Sequence, residues 1–260
     1  MLIKVSNHWA MGCSHCLENS TVRGTHMGRA LFQKAIEFCA RIEGLAWAQG
    51  YTAILLSGGE CTDNPELPDL IQDVFDFGLL PIVLSHGLWL NDPVLRSKLL
   101  REDWPELRFQ ITNDPRFYPK APPRVDDPRI VYVDSLTVMT QQGRFKDKTH
   151  PEVPLRRGPS SFNIRSLTRS YGDVRLALAH MRALALTGRS GHCSPSISAD
   201  GTLVAGESNE CFPIGNVDST PEEITKALIR MKCDRCHRAG DLTQEQRRAI
   251  GESSLYLAGE

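Results

Sequence analysis

Eight cysteines dominate the chemistry available to this 260-residue chain, and four of them sit in Cys-x-x-Cys pairs, Cys13/Cys16 and Cys233/Cys236. Two thiolates two residues apart can share one metal ion or one edge of a cluster, or exchange electrons as a dithiol. Zinc requires four ligands, and near the first pair only the imidazoles of His8, His15 and His26 are at hand to complete a set. The late cysteines, Cys193, Cys211, Cys233 and Cys236, form a second group with the spacing Cys-x17-Cys-x21-Cys-x2-Cys. Four thiolates suit tetrahedral zinc and an iron–sulfur cluster equally well by count. Cys39, in an apolar helical stretch, reads as a core residue. A third chemical feature is Ser57-Gly58-Gly59-Glu60, where glycines let backbone approach a ligand and Glu60 can accept from an ammonium group.

The elements that must position these residues alternate between strand and helix. Leu2 to Ser6 reads as a short apolar strand, followed by a polar loop to Gly24 that carries Cys13 and Cys16. Met27 to Gln49 has helical periodicity, with Ala30, Leu31, Ala35, Phe38, Ile42 and Leu45 near one face. Strands are expected at Thr52 to Leu56, Pro81 to Leu84, Leu107 to Thr112 and Arg129 to Val133. Helices are expected at Pro65 to Phe77, Pro93 to Glu102 and Asp173 to Leu186. Such alternation implies βαβ units and a parallel sheet, with functional residues on the loops after the strands. Asp114 to Pro128 is a Pro-rich loop across the mouth, and Arg144 to Gly172 has no clear assignment. Beyond Gly188 the character changes. Ser196 to Val204 reads as a hairpin turning at Asp200-Gly201, Pro221 to Met231 as a helix capped by Thr220, and a last helix starts near Thr243. These features divide the chain near residue 188, into 1–187 and 188–260.

Composition narrows the function classes. A hydrophobic share of 41% with 23% charged residues supports a sizeable core. The net charge of −1 gives no general attraction to nucleic acid or to an anionic membrane. No apolar run reaches the length of a membrane span, and Met1 to Val5 reads as a strand and not as a leader, so a cytoplasmic address is expected. Basic residues around the late cysteines, among them Lys226, Arg230, Arg235 and Arg247, read as a solvated face, since no aromatic stacking residues accompany them.

Taken in order, the motifs resemble the radical S-adenosylmethionine (SAM) enzymes. Asn7-His8-Trp9-Ala10-Met11-Gly12-Cys13-Ser14-His15-Cys16 is similar to their Cys-x-x-x-Cys-x-x-Cys loop. Ser57-Gly58-Gly59-Glu60 resembles their methionyl-binding segment, Pro81 to Gly87 their next strand, and Leu107 to Asp114 the fourth. The resemblance runs from Leu2 to Val133. It implies an α/β fold, a partial (β/α)6 barrel with a small cysteine-rich extension at its C-terminal end. It also implies a [4Fe–4S] cluster on Cys13 and Cys16, SAM held by Gly58, Gly59, Glu60 and Ser85, and His15 beside the adenine. The late cysteines resemble the SPASM and twitch extensions, which implies an auxiliary [4Fe–4S] cluster on Cys193, Cys211, Cys233 and Cys236, with zinc as the rival. By the same resemblance, reductive cleavage of SAM would give a 5′-deoxyadenosyl radical acting on a peptide or protein, fed by a flavodoxin or ferredoxin.

One position departs from the pattern: Trp9 stands where the first cluster cysteine belongs. Indole offers a donor and no ligand lone pair. Either His8 or Cys61 supplies the missing ligand, or Trp9 plugs the place of the cluster and leaves a SAM- or partner-binding protein with a structural metal site. Trp9→Cys is expected to raise iron per chain after anaerobic reconstitution; iron unchanged by that substitution would show that the loop is misplaced in this reading.

Overall fold

The computed structural model describes residues 1–9, 13, 16, 18–118, 120–135, 151–152, 164–186 and 194–232. The expected sites His15, Cys193, Cys233 and Cys236, and the expected helix near Thr243, lie outside these residues. The described chain forms one mostly parallel eight-stranded sheet with helices, an α/β architecture. Its strands are β1 (Leu2–Ser6), β2 (Ala53–Gly58), β3 (Leu80–Ser85), β4 (Arg108–Thr112), β5 (Ile130–Val133), β6 (Ser196–Ile197), β7 (Thr202–Val204) and β8 (Pro213–Asn216). Its helices are α1 (Arg29–Trp47), α2 (Leu67–Asp76), α3 (Pro93–Leu99), α4 (Ile164–Tyr171), α5 (Val174–Leu186) and α6 (Pro221–Arg230).

The strand order is β5-β4-β3-β2-β1-β6-β7-β8. Strands β1 to β5 are parallel neighbours in chain order. Crossovers of one hand that all step in one direction leave their helices on one face of a sheet. The packing agrees: α1 lies against α2 and α5, and α5 against α4 and α6. Alternation along the strands then gives the two faces different chemistry. Ile3, Val5, Ile54, Leu56, Val83, Phe109 and Ile111 are buried in the core with Phe32, Ile36, Phe38 and Cys39 of α1. Burial pushes the Cys39 thiol up to about 12, the state of an inert core residue. The opposite face carries Leu2, Lys4, Leu55, Ser57, Ile82, Leu84 and Gln110 in register across β1 to β4.

Two differences from the sequence reading concern the second half of the chain. Strand β6 pairs in parallel with β1, and β7 and β8 continue antiparallel from it. The strands beyond residue 188 therefore extend the same sheet. The hairpin at Asp200-Gly201 forms as expected, with Gly201 at φ +84°. Strand β8 had no period-2 signal of its own; its pairing with β7 makes it. Likewise α4 falls in the unassigned Arg144 to Gly172 stretch and is held by its contacts with α5 and α6. The Thr220 cap is a full capping box: its hydroxyl accepts from Glu223 N, and Glu223 accepts from Thr220 N. Among the described residues no helix is long and apolar enough to cross a membrane.

The ends of the strands opposite the mouth are tied by one buried carboxylate. Glu43 of α1 is 1% exposed and accepts from Arg182 of α5 at 2.9 Å and from the Met1 ammonium at 2.6 Å. Burial by itself would raise the Glu43 carboxyl, but the Met1 ammonium and Arg182 hold it below its ordinary value. Burial also pulls the Met1 ammonium down. A carboxyl lowered in the folded state adds stability above its unfolded value and loses it as pH falls through the folded one. Glu43→Ala, which strands Arg182, is expected to cost about 3–5 kcal/mol in urea denaturation at neutral pH, with the difference from wild type shrinking as the solution is acidified.

Candidate functional site

Parallel strands bring their carboxyl ends to one side of the sheet, where a ligand meets loops and not strand interiors. Here β1 delivers Trp9, Cys13 and Cys16, β2 delivers Gly58 to Cys61, β3 delivers Ser85 and His86, and β4 delivers Asp114 to Tyr118. The glycines serve the junction of the first two. A Cβ on Gly58 would lie 2.0 Å from the Ser6 carbonyl oxygen, and one on Gly59 would lie 2.1 Å from that of His8. Relieved of side chains, the backbone of Gly59 donates to Ser6 at 2.9 Å and that of Glu60 donates to His8 at 2.9 Å. The close approach expected of these glycines is thus made first to the cysteine loop itself.

Glu60 is 2% exposed, and all its acceptor positions are engaged within the chain. Its Oε1 accepts from the Thr62 hydroxyl at 2.6 Å and the Thr62 backbone N–H at 3.1 Å. Its Oε2 accepts from the His86 backbone at 3.1 Å and meets His86 Nδ1 at 3.0 Å. Burial alone would raise this carboxyl, yet the hydrogen bond and charge of His86, with Thr62, bring it down to about 2. Leu88 N lies 3.2 Å from the same Nδ1, so this ring nitrogen sits between the Glu60 carboxylate and the start of the next turn. Cys61 is fully buried beside Glu60 and donates to the Leu84 carbonyl at 3.1 Å. Burial and then the Glu60 charge push its thiol well up, so it stays protonated.

Trp9 is 5% exposed and lies with its ring centroid 4.6 Å from that of His86. Its Nε1 donates to Cys13 Sγ at 3.1 Å. The tyrosine of the β4 loop closes the same space: burial first, then the neighbouring Cys13, Glu60 and Cys16, raise the Tyr118 hydroxyl and keep it protonated. His8 turns the other way, with Nδ1 at 2.7 Å from Asp63, and its ring lies 5.6 Å from that of His26. Ser85 is buried and its hydroxyl accepts from Gly87 N at 2.9 Å.

The cysteine loop is also tied to the loop that bears Cys211. Lys4, 1% exposed on β1, donates to Glu18 at 2.8 Å and to Asn209 at 2.9 Å. Asn209 N donates to Glu18, and Asn19 donates to Glu210 at 2.6 Å. Burial pushes the Glu18 carboxyl up in spite of Lys4. Cys211 itself is half-buried and lines a cleft of about 330 Å³ with Asn7, Ser198, Thr202 and Asn209. Cys211 and the first cysteine loop are thus neighbours across residues 18–19 and 209–210, a proximity that sequence spacing gives no hint of.

Measured against the expected cofactor, the described residues do not fit a cluster held by three thiolates. Cys13 and Cys16 offer two, and the Trp9 indole donates to one of them. The two candidate replacements are engaged elsewhere, His8 with Asp63 and Cys61 with Leu84. Among the described residues no three His, Cys, Asp or Glu side chains are gathered so as to hold a metal ion. Sequence marks His86 only as part of a strand end and Tyr118 only as part of a loop; the meeting of His86 with Trp9 and Glu60, and of Tyr118 with Cys13 and Glu60, depends on register between strands far apart in the chain. No protein-family model matches the chain, and no curated protein matches it in sequence.

Since His86 holds the Glu60 charge, His86→Ala is expected to move the Glu60 carboxyl midpoint upward from about 2 in a carbon-13 NMR titration, because burial is then left without its main opponent. A midpoint that stays near 2 would show that Thr62 and the backbone suffice.

Proposed function

We propose that this sheet is a radical-SAM-type partial barrel whose mouth binds S-adenosylmethionine, and that Trp9 has taken the place of the first cluster cysteine so that the bound SAM is not cleaved. What supports the architecture is the chain order of β1 to β5 with candidate ligand-binding residues gathered at one end. The observation that carries the loss of cleavage is the indole of Trp9, buried against His86 and hydrogen-bonded to Cys13, where a third thiolate would be required.

In this reading Gly58, Gly59, Glu60 and Ser85 surround the methionyl group and His15 flanks the adenine. Glu60 has its four acceptor positions filled, so a ligand ammonium must displace one donor. His86 is the one that can leave: its side chain is 11% exposed, whereas the Thr62 donors sit beside Glu60 in the same turn. Exchange of one cation-like donor for another keeps the buried carboxylate compensated. The late cysteines are one metal site in the C-terminal segment, an iron–sulfur cluster or zinc, of which Cys211 is the described member.

A second reading keeps the chemistry. The pair Cys13 and Cys16, two cysteines of one loop that no disulfide joins, favours it. A ligand from outside the described residues would complete the cluster, and SAM would be cleaved reductively to act on a peptide substrate with a flavodoxin or ferredoxin as donor. Equilibrium dialysis with labelled SAM, followed by anaerobic reduction and chromatography for 5′-deoxyadenosine, separates the two. Retained SAM without 5′-deoxyadenosine is the expected result, with retention weakened about tenfold or more in Glu60→Ala through loss of a charged hydrogen bond. Formation of 5′-deoxyadenosine by the wild-type chain would establish the second reading, and absence of SAM retention would sink both.

A further inference from the structure

The cysteine loop that fails to fit a three-thiolate cluster fits a different two-electron chemistry. The backbone N–H of Cys16 donates to the Cys13 carbonyl at 3.3 Å, an i to i+3 bond. A backbone bond of this spacing holds the two α-carbons within about 7 Å, the outer limit for a disulfide. The two thiols differ in access. Cys13 is 6% exposed, and Cys16 is half-buried and open to solvent. An accessible thiol next to a sheltered one is the arrangement that thiol–disulfide exchange uses: the first meets an external disulfide and the second resolves the mixed intermediate.

Trp9 supplies the remaining element. Its N–H directed at Cys13 Sγ at 3.1 Å stabilises sulfur when it carries most negative charge, which is in the reduced pair. The other buried thiols lack these features. Cys61 donates to a carbonyl, and Cys39 is enclosed in the apolar core.

We infer that Cys13 and Cys16 form a reversible disulfide, exchanging two electrons with small-molecule or protein disulfides. The balance is complete with oxidised glutathione as the partner. Cys16 sulfur attacks one glutathione sulfur and releases one glutathione as thiol. Cys13 sulfur then attacks Cys16 sulfur and releases the second. Two thiol hydrogens leave with the two glutathione molecules, and one S–S bond replaces another. The inference rests on the same misfit of the loop with a cluster, but not on SAM binding.

The test uses the full chain, equilibrated in glutathione buffers of graded ratio, quenched with an alkylating reagent and digested with trypsin. The peptide from Val5 to Arg23 contains Cys13 and Cys16 and no other cysteine. Under oxidising buffer this peptide is expected to appear unalkylated and lighter by two hydrogens than its reduced form, and to return to the doubly alkylated form under reducing buffer. Cys13→Ser should leave Cys16 as a glutathione adduct. Trp9→Phe, which keeps an aromatic ring against His86, should shift the glutathione equilibrium about five- to tenfold toward the disulfide by removing the N–H that favours the thiols. The inference is overturned if both cysteines remain alkylated in oxidising buffer, if either pairs with a cysteine from another peptide, or if both are shielded by a bound metal that elemental analysis detects in the chain. SAM dialysis on the same oxidised and reduced samples reads the proposed function separately, so either can fail without the other.

Discussion

A carboxylate buried as deeply as Glu60 must either give up its charge or be met by donors on every lone pair, and the mouth of this protein is arranged around the second solution. Thr62, in the turn that follows β2, fills one oxygen, and the end of β3 fills the other through the His86 backbone and ring. The position of His86 then sets that of Trp9, whose ring packs against it, and Trp9 in turn reaches Cys13. A single buried charge therefore couples the ends of β1, β2 and β3, and the cost of leaving it unpaired is what keeps those ends in register.

The glycines that precede Glu60 belong to the same constraint. Two backbones pass within a contact distance that admits no Cβ, so the loop after β1 can lie over the end of β2 only at Gly58 and Gly59. The sequence Gly-Gly-Glu is in this sense one device: the glycines admit the cysteine loop, and the glutamate behind them anchors the next strand. Asn64 extends it by donating to the Val5 and Met27 carbonyls, which pins the entry and exit of the loop.

On the other side of β1 a second buried charge performs a similar task. Lys4 has no place on an apolar sheet face unless it is paired, and Glu18 and Asn209 come from the two loops that meet over it. The cysteine loop is thus held at one flank by hydrogen bonds to β2 and at the other by the loop that carries Cys211. The strands after residue 188 are part of this arrangement because β6 pairs with β1, the strand that bears Lys4.

Much of the fold was legible in the residues. Hydrophobic runs of strand length, separated by helical periodicity and punctuated by Pro, Gly and Thr caps, yielded β1 to β5, α1 to α3, α5 and α6, because local pattern and local burial coincide there. Cys13, Cys16, Gly58, Gly59, Glu60 and Ser85 were legible as candidates because their types and spacing carry chemistry wherever they fall. Strand β8 and helix α4 were not, since each is held by neighbours distant in sequence and not by its own propensity. The same reason separates the two levels at the site. Residue types alone determined that Trp9 cannot act as a thiolate and that Glu60 is a candidate acceptor. Only the tertiary structure decided that Glu60 is already satisfied, that His86 is its partner, that Cys61 and His8 are engaged with Leu84 and Asp63, and that Cys211 neighbours the first cysteine loop. Those outcomes depend on which strand ends lie side by side, and strand order is a property of long-range packing that no window of sequence contains.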